Sequence, residues 1–342
     1  MRTAPAHCCG TGPASDPMTT SASPLITLTA RGLYCEAGDF HIDPRRAVQT
    51  AVITHGHGDH LRGGHSRYIL ARRGAGIARA RLTRRCDIEE LDYGAQVRLG
   101  ATTVSLHPAG HILGSAQVRI EHGGEVWVVS GDYKRQSDPT CEPFEPLPSD
   151  VFVSEATFAQ PQYCWPETPA VVSEIETWWQ ENRKLGLTSV LFCYSLGKAQ
   201  RVLAELRAVT SETVYVHGAM TQLIDVYRKA GVAMLPTLPA TPERAREMRG
   251  ALVIAPPHLA SASWLGRLGA CRRGLCSGWM LMPGEARRRG YDRGFVISDH
   301  ADWPALVRTC VESGARRVLL MHGQTEALAR HLTEQGIAAS EL

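Results

Sequence analysis

The densest group of metal-ligating side chains in the sequence is Thr54-His55-Gly56-His57-Gly58-Asp59-His60. Three imidazoles and a carboxylate lie directly behind the apolar run Ala51-Val52-Ile53. Neutral imidazole and carboxylate are the donors taken by zinc and comparable divalent cations. The apolar run predicts a buried strand. Gly56 and Gly58 permit a sharp turn behind it, so the donors are expected on a loop at the end of a rigid element. Four such groups, joined by ligands from elsewhere, exceed one tetrahedral ion, and two adjacent metals are expected.

Three further segments could supply the distant ligands. His111 stands between Gly110 and Gly114, Asp132 follows an apolar run in Ser130-Gly131-Asp132-Tyr133, and His322 follows another in Met321-His322-Gly323. All three read as strand-end loops, where functional groups are commonly displayed on an α/β scaffold.

The elements that must position these groups fall into two patterns. Up to about residue 160 the chain reads as short strands: 25–28, 38–44, 47–54, 104–106, 116–121, 126–130 and 151–154. Gly123-Gly124 makes a hairpin turn between two of them. Beyond Pro161, helices at 169–184, 197–209, 220–230 and near 241–249 alternate with strands at 190–194, 214–217 and 252–255. That alternation predicts a parallel α/β sheet. Strands at 295–298 and 318–321 and helices at 304–313 and 326–335 complete the chain. Residues 1–22, rich in Ala, Ser, Thr, Pro and Gly, are expected to form a poorly ordered extension, with Met18 as an alternative start.

With 342 residues, 44% hydrophobic and 21% charged, the composition is that of a globular protein with a large core. A net charge of +3 does not by itself argue for nucleic acid, but Arg is clustered at 72–73, 84–85, 272–273 and 287–289, as in phosphate-binding patches. The 10 cysteines are scattered without a Cys-x-x-Cys pair, which fits reduced thiols in a cytoplasm rather than a disulfide framework. No apolar run approaches bilayer length, and no continuous apolar core of signal-peptide type opens the chain.

His-x-His-x-Asp-His resembles the signature of the metallo-β-lactamase superfamily. Ser298-Asp299-His300-Ala301-Asp302 and Ser154-Glu155-Ala156-Thr157-Phe158 resemble motifs of its β-CASP nuclease branch, and Leu196-Gly197-Lys198-Ala199-Gln200-Arg201 resembles a turn of that branch. The resemblance implies a metallo-β-lactamase αββα sandwich at 23–160 and 295–342, with an α/β cap domain inserted at 161–294. It implies two divalent ions, zinc with manganese as the alternative. One would be held by His55, His57 and His111, the other by Asp59, His60 and His322, with Asp132 bridging and a hydroxide between the ions as nucleophile. Asp59 would also belong to the catalytic set. His300, oriented by Glu155, would serve as general acid. Lys134, Arg135 and Lys198 are the candidates for substrate phosphates.

More narrowly, residues 24–330 resemble the bacterial ligase-associated DNA exonuclease family, relatives of which are often labelled messenger-RNA 3′-end processing factors. The carrying stretches include Gly32-Leu33-Tyr34-Cys35, Phe40-His41-Ile42-Asp43-Pro44 and Tyr215-Val216-His217-Gly218-Ala219. The implied function is an exonuclease on single-stranded DNA or DNA ends in repair, with an ATP-dependent DNA ligase and a helicase as partners and no membrane. The alternatives are an RNA-processing nuclease, a small thioester or lactone hydrolase, and an inactive scaffold. A single strand is expected to thread beneath the cap, its bases stacking on Tyr133, Tyr163 or Trp165.

Overall fold

In the computed structural model, residues 24–82, 86–260 and 263–342 are described. The expected extension 1–22 and the Arg84-Arg85 cluster lie outside them. The first sheet joins β1 (Ile26–Thr29), β2 (Gly32–Cys35), β3 (Phe40–Ile42), β4 (Thr50–Ile53), β5 (Arg67–Ala71) and β6 (Asp87–Leu91) in sequence order. The second begins with β7 (Gln96–Leu99), β8 (Thr102–Pro108), β9 (Ala116–His122), β10 (Glu125–Val129) and β11 (Val151–Ala156). The chain then builds a third sheet from β12 (Thr188–Phe192), β13 (Val214–Val216), β14 (Thr237–Pro239), β15 (Leu252–Ala255), β16 (Cys271–Cys276) and β17 (Arg293–Phe295). Finally β18 (Arg317–Gly323) and β19 (Ala338–Glu341) return to the edge of the second, beside β11.

Alternation along the strands assigns the layers. Leu33, Phe40, Ile42, Val52 and Ile69 of the first sheet meet Val104, Leu106, Val118, Trp127, Val129 and Val153 of the second in one buried core. The intervening residues face outward. Ala51, Ile53, Tyr68 and Leu70 pack on α1 (Ala75–Arg81). On the far side of the second sheet, Val128, Phe152, Val318 and Leu320 pack on α6 (Trp303–Glu312) and α7 (Glu326–Glu334). The order helix, sheet, sheet, helix is thus αββα.

In the third sheet all ladders are parallel. Its core face is covered by α2 (Thr168–Lys184), α3 (Lys198–Glu205) and α4 (Gly218–Lys229). Ile77, Ile112, Leu113, Leu196, Leu223 and Tyr227 form a buried cluster that joins α1 and the His111 loop to α4 and the end of β12. The short helix α5 (Glu285–Arg288) lies before β17.

The hairpin at Gly123-Gly124 forms as expected, both glycines having positive φ (58° and 85°). The helix expected near 241–249 does not form beyond a 3-10 turn at Pro242–Arg244. Only Met248 is buried within 241–249, so no apolar face holds such a helix down. The strand expected at 295–298 ends at Phe295, and the loop that leaves it carries Ser298 and His300 across to the sandwich. Among the described residues no helix is long and apolar enough to cross a membrane.

Candidate active site

The loop after β4 forms as the glycine spacing requires. Leu61 N and His60 N both donate to the carbonyl of His57, closing a tight turn. A Cβ at Gly56 would come within 2.5 Å of Ile77, so only glycine lets this turn lie against α1. The turn, the His111 loop between β8 and β9, and the segment after β10 bring His55, His57, His111 and Asp132 together. Their ligand atoms all lie within 4.8 Å of one another. His55 Nε2 and His111 Nε2 are each 3.0 Å from His57 Nδ1. Asp132 Oδ2 is 3.5 Å from the Nε2 atoms of both His55 and His60.

Each ring is held from behind by an acceptor, which fixes which nitrogen turns inward. His111 Nδ1 donates to the carbonyl of Asp299 (2.6 Å), and His57 Nε2 donates to that of Leu196 (3.1 Å). His60 Nδ1 donates to Asp43 (2.7 Å). Thr54 Oγ1 donates to the same carboxylate at 2.5 Å and is free to accept from His55 Nδ1 at 3.1 Å.

Burial, reinforced by the neighbouring imidazoles, holds His55 and His111 well below the usual imidazole range, and burial also lowers His57. Three neutral rings therefore aim lone pairs at one another and at a buried carboxylate. That arrangement is repulsive unless a cation sits among them, so the donor set fits a divalent metal. Burial alone would lower His60, but Asp132 and Asp43 lift it to about 10, so His60 too sits among anions that a cation would neutralise.

Asp59 and His322 lie at the rim rather than inside this cluster. Asp59 is exposed, with Oδ2 3.7 Å from His60 Nε2. The His322 ring lies 5.8 Å from that of His60, and its backbone is left-handed (φ 59°), unusual for a residue with a Cβ. His300 stands beside the cluster, with Nδ1 2.8 Å from Glu155 and 4.0 Å from Asp132. Burial would lower His300, but these two carboxylates lift it to about 9. Burial pushes the Glu155 carboxyl up, yet His300, Thr157 and the Tyr133 N–H together hold it below the usual range.

The expected phosphate contacts divide. Lys198 lines the cleft, with Nζ 2.8 Å from Asp299. Lys134 does not reach it: its buried ammonium is paired with Asp138 and donates to the His111 carbonyl. Arg135 also turns away, pairing with Glu312 at 2.8 Å and donating to Thr309. The Tyr133 ring is fully buried, its hydroxyl against Ser154, and cannot stack on a base. The arginine clusters are largely neutralised: Arg72 by Asp92 and Glu90, Arg73 by Glu142, Arg272 by Asp292, Arg288 and Arg289 by Glu285.

Three positions went unrecognised as site residues in the sequence. Asp43 braces His60 and Thr54, Thr54 braces His55, and Asp299 holds both His111 and Lys198. The usable signal was an Asp-Pro pair directly behind a strand, where Asp43 adopts φ 45°.

A cleft of about 480 Å³ opens over the cluster, lined by His57, Asp59, His60, Asp132, His300 and His322 on one side and Tyr194, Lys198 and Trp279 on the other. A second cavity of about 350 Å³ shares Asp59, His60 and His322 and continues to Arg45 and Arg62.

The sandwich, the inserted parallel sheet and the strand-end His/Asp cluster define a hydrolase-type fold, and comparison with known proteins narrows it. No protein-family model matches the chain. It is 32% identical over 317 residues to a probable DNA ligase of Opitutus terrae, covering 91% of this chain and 30% of that protein. It is 26% identical to a ribonuclease of Thermus thermophilus over 57% of this chain and 49% of that protein. A 73-residue stretch is 37% identical to an endoribonuclease of Candida glabrata, covering 21% of this chain and 10% of that protein. The chain thus spans at most about half the length of these relatives. A solved structure of a protein of unknown function from Enterococcus faecalis superposes with a TM-score of 0.61 at 11% identity, covering 86% of this chain and 79% of that one, which shows the shared fold. The chain belongs to the metallo-β-lactamase superfamily, in its β-CASP-like branch.

Proposed function

We propose that this chain is a metal-dependent nuclease that hydrolyses DNA phosphodiester bonds, acting as an exonuclease on single strands or ends. The observation that carries the reading is the His300–Glu155 pair, 2.8 Å apart, beside a cluster of inward-facing His and Asp donors. Nucleic acid is also common to the names of the relatives. In this reading His55, His57 and His111 hold one divalent ion, Asp59, His60 and His322 a second, and Asp132 lies between. The ions would be zinc, or manganese, and when bound would supply Lewis acidity and an activated water.

The chain's own residues do the rest. With Nδ1 engaged by Glu155, His300 is left with Nε2–H as its free donor, which passes its proton to the departing oxygen. Lys198, set by Asp299 at the cleft wall, faces the substrate's charge. Arg45 and Arg62, in no ion pair among the described residues, offer guanidiniums along the second cavity. Segment 161–294 is read as the cap. A cleft this size takes a single strand and not an unopened duplex, which favours frayed or single-stranded ends. An ATP-dependent ligase and a helicase are the proposed partners in repair. The second reading, RNA processing on the same site, is favoured by the relatives named as ribonucleases.

Matched DNA and RNA strands labelled at one end, each linear and circularised, test the proposal. Stepwise loss of the linear DNA with the circle intact is the expected result. Rapid cutting of the circle would replace exonuclease by endonuclease, and preferential RNA cleavage would favour the second reading.

A further inference from the structure

We infer that Trp279 and Tyr194 form a stacking platform for an unpaired base of the substrate strand. This rests on the nuclease reading and extends it to how the strand is gripped. Few large apolar side chains are exposed among the described residues. Only two of these are aromatic, Tyr194 (57%) and Trp279 (38%). Both line the cleft that holds the metal-ligand cluster. Exposed aromatic faces converging on one concave, charged site are what a planar, apolar ligand group would use.

The platform is built rather than incidental. The Trp279 ring packs on Phe158 at 4.7 Å and edge-on against Tyr163 at 5.7 Å. Phe158 in turn contacts Trp165, whose Nε1 donates to the His300 carbonyl. Ser277 accepts from Trp279 N, and a Cβ at Gly278 would come within 2.8 Å of Phe158 and 2.9 Å of Trp165. The loop therefore lies flat on the cluster and presents Trp279 with little remaining freedom. Tyr163 and Trp165, expected from sequence to meet the bases themselves, are buried supports of this ring. Lys198 Nζ lies 5.4 Å from the centroid of the Tyr194 ring, so a phosphate and a base of one nucleotide find neighbouring partners.

The test compares a linear DNA strand with the same strand carrying abasic sites near its labelled end. The metal-loaded wild type is expected to favour the base-bearing strand in kcat/KM by roughly 5- to 160-fold, the range for one stacked base. Trp279→Ala should lose most of that preference, the ratio of kcat/KM for the two strands falling towards 1 whatever the absolute rate. Tyr194→Ala, at a position with little packing, should lose part of it, and Trp279→Phe should restore most. Equal cleavage of both strands by the wild type, or a preference untouched in all three variants, overturns the platform and leaves the nuclease reading standing. If the wild type cuts neither strand, that reading fails. Binding of nuclease-resistant phosphorothioate strands then decides the platform separately: wild-type discrimination between base-bearing and abasic strands that Trp279→Ala abolishes supports it, and equal binding overturns it.

Discussion

His300 Nδ1 and a carboxylate oxygen of Glu155 lie 2.8 Å apart although 145 positions separate them in sequence. The strand β11 delivers Glu155, the loop after β17 delivers His300, and the Tyr133 N–H donates to the other Glu155 oxygen at 2.7 Å. The carboxylate thereby fixes the ring's orientation. His300→Ala should keep its metal content near wild type and lose roughly 10²–10⁴ in rate, the range for a missing general acid. Metal analysis beside turnover checks this; loss of metal with activity would make His300 a ligand.

Asp132 differs, because its Oδ2 lies within 3.5–3.8 Å of His55, His60 and His111. Asp132→Ala should abolish hydrolysis and reduce bound metal, while circular dichroism stays that of the wild type. Stripping metal with a chelator should inactivate the wild type likewise, and divalent zinc or manganese should restore it. Two ions bound with near-normal turnover in Asp132→Ala would end the dinuclear assignment.

Asp43 should act through other residues. It holds His60 Nδ1, Thr54 Oγ1 and Thr54 N, so Asp43→Asn should weaken metal binding by about 10- to 100-fold without removing a ligand. Competition with a chromogenic chelator measures that shift. An affinity equal to wild type would mean that the turn alone orients His60.

The buried Lys134–Asp138 pair predicts a stability effect. Burial alone would raise the Asp138 carboxyl, but Lys134, Arg201 and Thr140 hold it below its ordinary value. A depressed carboxylate contributes stability that is complete above its unfolded pKa of about 3.9 and is lost as pH falls towards the folded value. Asp138→Asn should therefore flatten the acid limb of stability against pH. It should also destabilise at neutral pH by about 3–5 kcal/mol, since the Lys134 ammonium is left buried without its carboxylate partner. Urea midpoints between pH 3 and pH 7 read both effects.

The His-rich loop after β4, His111 and Asp132 were legible as neighbours because each follows a strand in sequence, and strand ends are where turns and glycines cluster; His322, expected in a loop, lies instead within the end of β18 and at the rim of the cluster. What surrounds them was not legible. Asp43, Thr54 and Asp299 act by hydrogen bonds to residues up to 188 positions away, and apart from the Asp43-Pro44 pair nothing local marks a residue that braces an imidazole. Lys134 and Arg135 misled for the same reason. Adjacency to Asp132 in sequence suggested the cleft, but burial against Asp138 and Glu312 turns both side chains to the other side. The strands β5 and β16 escaped because arginines sit at their starts, where only the paired neighbour strand reveals the ladder.

On the proposed function, charge pairing would also decide which arginines meet the substrate. Sequence clustering pointed to Arg287, Arg288 and Arg289, but Glu285 engages Arg288 and Arg289 on an exposed helical turn. Arg45 and Arg62 stand apart in sequence, yet they share one cavity that opens onto Asp59, His60 and His322. A guanidinium with no carboxylate partner among the described residues can neutralise a phosphate and release its counterion. Replacing Arg45 and Arg62 together by Ala should weaken single-strand binding and lower the slope of log K against log salt by about 0.7 for each phosphate no longer neutralised. Replacing Arg288 and Arg289 should leave the slope unchanged. Titrating a fluorescent strand at several salt concentrations separates the two variants; the reverse ranking would carry the strand over α5 instead of past His322.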